Sequence, residues 1–218
     1  MFNNSIRNNK LTEHAMDIHK NDAPYKKADT IDFVITIVMV IIAVFAFRAF
    51  LSEPVQVSGE SMTPTLLDKE RMFVEKFTYW FETPQRGDIV ICYYPESYRE
   101  YNPTAKKSDT YVKRVIGLPG ETVKITDGHV YVKKVGAADF EMLDETSYLG
   151  DLYINLDRDE ITVPKGSVFV MGDNRNNSMD SRYPQVGPIR ISAIVGKVHG
   201  VIFPFTNIRD LDEINYAQ

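Results

Sequence analysis

A mainly β body behind one long apolar helix is the fold that this 218-residue sequence predicts. Three observations predict it. After residue 52, short runs rich in Val, Ile, Tyr and Phe recur, punctuated by Gly, Pro and Asp, the pattern of strands and turns. No segment beyond residue 51 sustains the 3.6-residue apolar period of an amphipathic helix. Between Phe33 and Phe47, by contrast, Thr36 is the only polar residue. With 44% hydrophobic and 11% aromatic residues the chain can build a core, which excludes wholesale disorder. Coiled antiparallel sheets or a partly open barrel are the expected form.

Residues 1–30 form a polar tail in which Arg7, Lys10, Lys20, Lys26 and Lys27 face four acids. Residues 31–51 read as a transmembrane anchor, since about 20 residues rising about 1.5 Å each cross a hydrocarbon layer of about 30 Å. Asp32 suits the positive N-terminal end of such a helix, and Arg48 can extend its charge to the far interface. A removable secretory signal is disfavoured by the long polar lead and by the lack of a small-x-small site after the apolar run. Lys26 and Lys27 on the entry side, against Arg48 alone at the exit, place the N-terminus in the cytoplasm. Everything after residue 52 is then extracytoplasmic, and His14 and His19 are cut off from it.

The β domain spans 52–218. Its expected strands are Pro54–Ser58, Arg71–Lys76, Asp88–Tyr93, Tyr111–Ile116, Thr122–Thr126, His129–Val132, Ser167–Met171 and Ile194–Val201. Asp127-Gly128 between two of them is a tight hairpin signal, because both turn positions need positive φ. The acidic stretch 133–162 has weaker periodicity and reads as an insertion on the β body. Phe77, Tyr79, Trp80 and Phe81 form an aromatic cluster suited to a membrane interface or to packing under a loop. There is no internal repeat.

A net charge of −5, from 25 basic and 30 acidic residues, argues against nucleic acid as a partner. Cys92 is the only cysteine and lies in an apolar run, so it reads as core and no internal disulfide can form. No His-Glu-x-x-His occurs, and His129 and His199 lack partners at metal-ligand spacing, so neither metal nor cofactor is expected. Gly59-Glu60-Ser61-Met62-Thr63 lacks the closing glycine of a nucleophile elbow, and no Ser-x-x-Lys occurs. A Ser-His-Asp triad has few histidines to draw on. Lysine can replace histidine as a base where burial strips its hydration and frees the neutral amine. Lys113 is a candidate, since strand alternation puts it on one face with Tyr111 and Val115 and sends Arg114 to the other.

Four segments carry a resemblance. Val57-Ser58-Gly59-Glu60-Ser61-Met62-Thr63-Pro64-Thr65-Leu66 resembles the nucleophile box of bacterial type I signal peptidases, and Arg86-Gly87-Asp88-Ile89-Val90 their next box. Lys113-Arg114-Val115-Ile116-Gly117-Leu118-Pro119-Gly120-Glu121 resembles the lysine box, and Gly172–Arg182 the last. They occur in the family's order, directly after the anchor.

The resemblance implies a membrane-bound endopeptidase that cleaves signal peptides from exported preproteins after small-x-small motifs. Ser61 is its implied nucleophile and Lys113 its general base, acting through an acyl-enzyme. The backbone N–H of Ser61 is the implied oxyanion donor; some relatives add a serine hydroxyl at the position of Gly59, which this chain lacks. Ser178 is implied to hold the lysine amine, Asp180 and Arg182 to form a supporting ion pair, and Asp173 to act as a framework acid. Val55, Val57, Leu66, Ile91, Tyr111 and Val112 are implied to line shallow apolar pockets beside an extended peptide. The implied partners are signal peptides and the lipid bilayer. Two alternatives stand beside this reading. A self-cleaving repressor-type Ser-Lys peptidase shares the dyad but carries a DNA-binding domain that residues 1–51 do not offer. A non-catalytic membrane-anchored binding component is expected to lack the serine or the lysine.

Overall fold

The computed structural model describes residues 22–50, 52–150 and 152–211, with backbone alone at 22–28, 46–50, 52 and 53. Expectations for His14, His19 and the rest of 1–21 lie outside the described residues, as do the side chains of Lys26, Lys27 and Arg48. The chain divides into two compact units, Met1–Ala49 and Phe50–Gln218.

The first unit is dominated by helix α1, Asp22–Phe50. From Phe33 to Phe45 its side chains are apolar on every face apart from Thr36, and the large apolar ones from Ile31 to Phe45 are exposed. Thr36 returns its hydroxyl to Asp32 O at 2.8 Å, so its polarity is satisfied within the helix. Among the described residues, no helix is long and apolar enough to cross a membrane.

The second unit is built on antiparallel strands. β1 (Ser52–Gln56), β2 (Arg71–Glu75), β3 (Ile89–Tyr93), β4 (Thr110–Gly117), β9 (Ser167–Met171), β10 (Ile189–Arg190), β11 (Ile194–Phe203) and β12 (Arg209–Asp210) make one sheet. Its order is β1-β2-β11-β3-β4-β9-β10, with β12 on β11. β5 (Thr122–Thr126), β6 (His129–Lys133), β7 (Glu141–Met142) and β8 (Arg158–Thr162) make the second, in the order β7-β6-β5-β8. Short helices α2 (Thr78–Phe81), α3 (Glu96–Tyr101) and α4 (Thr146–Leu149) decorate the connections. Of the two expected forms, antiparallel sheets are found and no closed barrel forms among the described residues. The large sheet runs from β1 to the two-residue β10, and its end strands do not pair with each other among the described residues, so the ladder stays open.

Pleating explains why β3 reads as an unbroken apolar run. Ile89 and Ile91 enter one core cluster with Met62, Leu66, Met72, Val74 and Val198. Val90 and Cys92 enter another with Tyr111, Val115, Val168 and Val170. A strand buried on both faces has no place for alternation with polar residues. A third cluster joins Val123, Ile125, Val130 and Val132 of the second sheet to Ile116, Phe169 and Met171 of the first. Each such aliphatic side chain contributes about 1.5–3 kcal/mol on burial. Cys92 is fully buried, and desolvation pushes its thiol up to about 12, which leaves it inert as expected.

The Asp127-Gly128 hairpin forms with φ of 50° and 78°, joining β5 to β6. The stretch 133–162 carries both outer strands of the second sheet, β7 and β8, together with α4. Of the aromatic cluster, Tyr79 turns inward and donates to Asp88 Oδ2 at 2.8 Å, while Trp80 and Phe81 are exposed.

Candidate active site

Residues 57–70 leave β1 as a closed loop. The Val57 N–H donates to Glu70 O at 2.8 Å, the Lys69 N–H to Val57 O at 3.0 Å, and the Leu66 N–H to Met62 O at 3.0 Å. Met62 and Leu66 plug into the first core cluster, so the loop is pinned from below and Ser61 is left at its edge. Gly59 has φ of +96°, a left-handed conformation that a side chain disfavours, and its N–H donates to Asp68 Oδ1 at 2.9 Å. Ser61 O accepts the Asn174 N–H at 3.0 Å, and Glu60 O accepts Asn174 Nδ2 at 3.0 Å. The Ser61 N–H donates to no other described residue.

Lys113 approaches Ser61 from β4. Its Nζ lies 2.7 Å from Ser61 Oγ and 2.8 Å from Val112 O. The amine sits 5.2 Å from the centre of the Tyr111 ring, and the residue is 2% exposed. Burial removes the water that stabilises an ammonium and lowers the amine to about 8, against the weaker opposing pull of the Asp180 charge. A hydroxyl in hydrogen-bonding contact with an amine whose free base is reachable near neutral pH is an arrangement that can serve as a nucleophile with its base.

The segment after β9 supplies the scaffold. Asp180 holds Arg182 through two contacts, Nε to Oδ1 at 2.7 Å and Nη2 to Oδ2 at 2.8 Å, and accepts the Gly172 N–H at 3.0 Å. Asp173 holds Arg114 in the same forked way, at 2.9 and 2.6 Å, and accepts Thr65 Oγ1 at 2.5 Å. All four charged residues are buried. Arg114 thus ties β4, immediately beyond Lys113, to the segment whose Asn174 holds Ser61 O. Gly172 is required by space, since an added Cβ would collide with Ser178 Oγ and with Ser61 O.

Ser178 is buried beside Gly172, yet among the described residues its Oγ has no hydrogen-bond partner and makes no bond to Lys113. The amine's contacts are Ser61 Oγ and Val112 O instead, so the Ser178 hydroxyl does not hold it.

A cleft of about 300 Å3 opens over Ser61 and Lys113. Val55, Val57, Ile91, Tyr111 and Val112 line it, with Gln56, Ser58, Tyr94, Thr110, Asn177 and Met179. Leu66 is the exception among the anticipated pocket residues. The loop turns its side chain inward, and it is fully buried against Met62 and Met72 rather than facing the cleft. Tyr111 stacks on Tyr94 with ring centres 4.1 Å apart, and Tyr94 stacks on Tyr98 at 4.2 Å, which stiffens that wall.

Two further ion pairs escape sequence reasoning. Arg175 forks onto Glu145 at 2.6 Å for each contact, with the Tyr148 hydroxyl at 3.0 Å. Arg209 forks onto Glu70 at 2.8 and 2.7 Å. Both join residues far apart in the chain whose local sequence carries no partner signal. Among the described residues there is no His/Cys/Asp/Glu cluster suited to a metal.

Residues 30–203 match the family model described as signal peptidase, peptidase S26. The chain is 41% identical over 186 residues to signal peptidase I P of Bacillus subtilis subsp. natto, a match covering 84% of this chain and 95% of that one. To signal peptidase I T of Bacillus subtilis strain 168 it is 41% identical over 175 residues, covering 79% and 85%. To signal peptidase I of Leptolyngbya laminosa it is 34% identical, covering 87% and 88%. A crystal structure of a signal peptidase I from Enterococcus faecalis V583 is 31% identical, covers 53% of this chain and 97% of that one, and superposes with a TM-score of 0.37.

Proposed function

The chain belongs to the signal peptidase family, peptidase S26, and from that premise we propose that it cleaves signal peptides from exported preproteins with Ser61 as nucleophile and Lys113 as general base. It is a peptidase by family; the chemical roles rest on one observation, the 2.7 Å approach of Lys113 Nζ to Ser61 Oγ at the floor of a cleft.

The neutral Lys113 amine takes the Ser61 hydroxyl proton as Oγ bonds to the scissile carbonyl carbon. The resulting oxyanion is stabilised by the Ser61 N–H, a fixed donor with no competing acceptor among the described residues. Collapse breaks the C–N bond, and the Lys113 ammonium returns its proton to the leaving amine. Water then gives a proton to Lys113 and its oxygen to the acyl carbon, and Ser61 leaves reprotonated. Asp173–Arg114 ties the strand of Lys113 to the segment after β9, and Asp180–Arg182 braces that segment from within.

Val55, Val57, Ile91, Tyr111 and Val112 leave room for small side chains, which fits recognition of a small-x-small motif by an extended peptide running beside β1 and β4. Helix α1 is the proposed membrane anchor, with the N-terminus cytoplasmic and 52–218 outside. Its exposed apolar side chains from Ile31 to Phe45 support contact with lipid, and the spanning length draws on the sequence run out to Leu51.

Incubating the purified protein with a leader peptide carrying a small-x-small motif, then mapping the products by mass, tests the reading. One cut immediately after the motif is expected, with Ser61→Ala and Lys113→Met reduced to background. Full turnover by Lys113→Met would remove the dyad assignment.

A further inference from the structure

We propose that Arg209, on the last described strand and beyond the segment that matches the family model, is a positioning residue for the nucleophile loop. The proposal rests on the assignment of Ser61 as nucleophile. Its starting point is a buried carboxylate, Glu70, which closes the loop that began at Val57. Glu70 accepts the Leu67 N–H at 2.9 Å and takes the Arg209 guanidinium in a fork, Nη1 on Oε1 at 2.8 Å and Nη2 on Oε2 at 2.7 Å. Nη2 also donates to Thr65 O at 2.7 Å. One planar group therefore holds a carbonyl four residues after Ser61 and the carboxylate that ends the loop. A lysine cannot reproduce this, because its ammonium is a single point with no planar fork.

Thr65 is held from two directions. Its hydroxyl donates to Asp173 Oδ2 at 2.5 Å, and its carbonyl accepts from Arg209. Asp173 is followed by Asn174, whose N–H and side chain hold the carbonyls of Ser61 and Glu60. The loop is thus strung between the segment after β9 and Arg209. Releasing the Arg209 end frees Thr65–Glu70 to shift, and with them the angle at which Ser61 Oγ meets the substrate carbonyl. Small misplacements of a reacting atom cost large factors in rate.

β12 is placed to deliver this residue. Val201 pairs with Arg209 and Gly200 with Asp210. A Cβ on Gly200 would lie 2.6 Å from Arg209 O, so only glycine admits β12 at this distance. Leu211 donates its N–H to His199 O at 2.9 Å and packs against the core cluster that holds Met62 and Leu66.

The test compares steady-state cleavage of a leader peptide by the full-length wild type, Arg209→Ala, Arg209→Lys, Gly200→Ala and Ser61→Ala, with thermal melting and circular dichroism on each. For folded Arg209→Ala and Arg209→Lys, kcat is expected to fall at least tenfold while KM stays within twofold. Gly200→Ala is expected to lose kcat in the same direction. Added guanidinium ion is expected to restore several-fold activity to Arg209→Ala and to do nothing for the wild type. Arg209→Lys keeps a cation beside Glu70, so it reports on positioning even if Arg209→Ala fails to fold. Wild-type kcat in folded Arg209→Lys overturns the proposal, as does a loss in Arg209→Ala that merely matches its unfolded fraction. Activity retained by Ser61→Ala instead overturns the nucleophile assignment on which the proposal rests.

Discussion

Lys113 keeps only 2% of its surface, and an ammonium so enclosed loses hydration that a neutral amine never needed. With the amine lowered to about 8, about one molecule in ten carries the free base at pH 7. The rate at low substrate should therefore rise about tenfold per pH unit up to about pH 8 and then level, as a kcat/KM profile will show. Asp180 pulls the amine upward, so Asp180→Asn is expected to move that acid limb to lower pH. The sign for stability follows from the same burial. Below pH 8 the amine is protonated folded or unfolded; between about 8 and its ordinary 10.5 only the unfolded chain holds the proton, so stability rises with pH across that window. Little of this was legible locally, because strand lysines usually face water and Lys113 stood out only through the register of four boxes. Leu66 shows the opposite error. A residue inside a recognised box was read as pocket lining, yet the loop's inward turn makes it core. Ser178 lies in the expected place, but without the hydrogen bond expected of it.

At the scale of elements, strands with a buried face were readable, while of the edge strands β1 was anticipated and β7, β8 and β10 were not. Val168-Phe-Val-Met171 is an unbroken apolar run because β9, flanked by β4 and β10, is buried along its whole length. Arg158-Asp-Glu-Ile-Thr162 is largely exposed at the edge of the second sheet, and its charges conceal a strand. The same blindness hid the use of 133–162, whose acidity looked like a solvated insertion. Glu145 is one of those acids, and its partner is Arg175, a buried guanidinium inside the last box. Its neighbour Tyr148 lies under the Arg114 guanidinium at 4.2 Å, which links the segment to the strand of Lys113. Removing one side of a buried pair strands the other charge, at a cost of about 3–5 kcal/mol. Glu145→Ala is accordingly expected to lower the melting temperature by about 10 °C, read by calorimetry, whereas an exposed control such as Glu141→Ala should shift it by about a degree.

For the molecule as a whole, the mainly β, antiparallel character was legible, while the order of strands in the two sheets was not, because pairing between distant segments leaves no local signal. Global stability should carry the imprint of Glu70, whose carboxyl Arg209 holds below its ordinary value of 4.5. A carboxyl depressed in the folded state stabilises fully above its ordinary value, and that contribution disappears as pH falls through the folded one. Melting curves below pH 4.5 should therefore be steeper for the wild type than for Glu70→Gln; parallel curves would mean the pair is not linked to folding. The clamp also has a consequence in time. Ser61 meets the Lys113 amine 52 positions later, and Thr65 meets the Arg209 guanidinium 144 positions later. Contacts so distant along a chain form late, after the strands between them have been ordered. During synthesis Ser61 emerges before β4 and β12, the strands that carry the two partners, and before β11, which joins β2 to β3. A protease assembled in that order has no competent site while its own strands are still extended and cleavable.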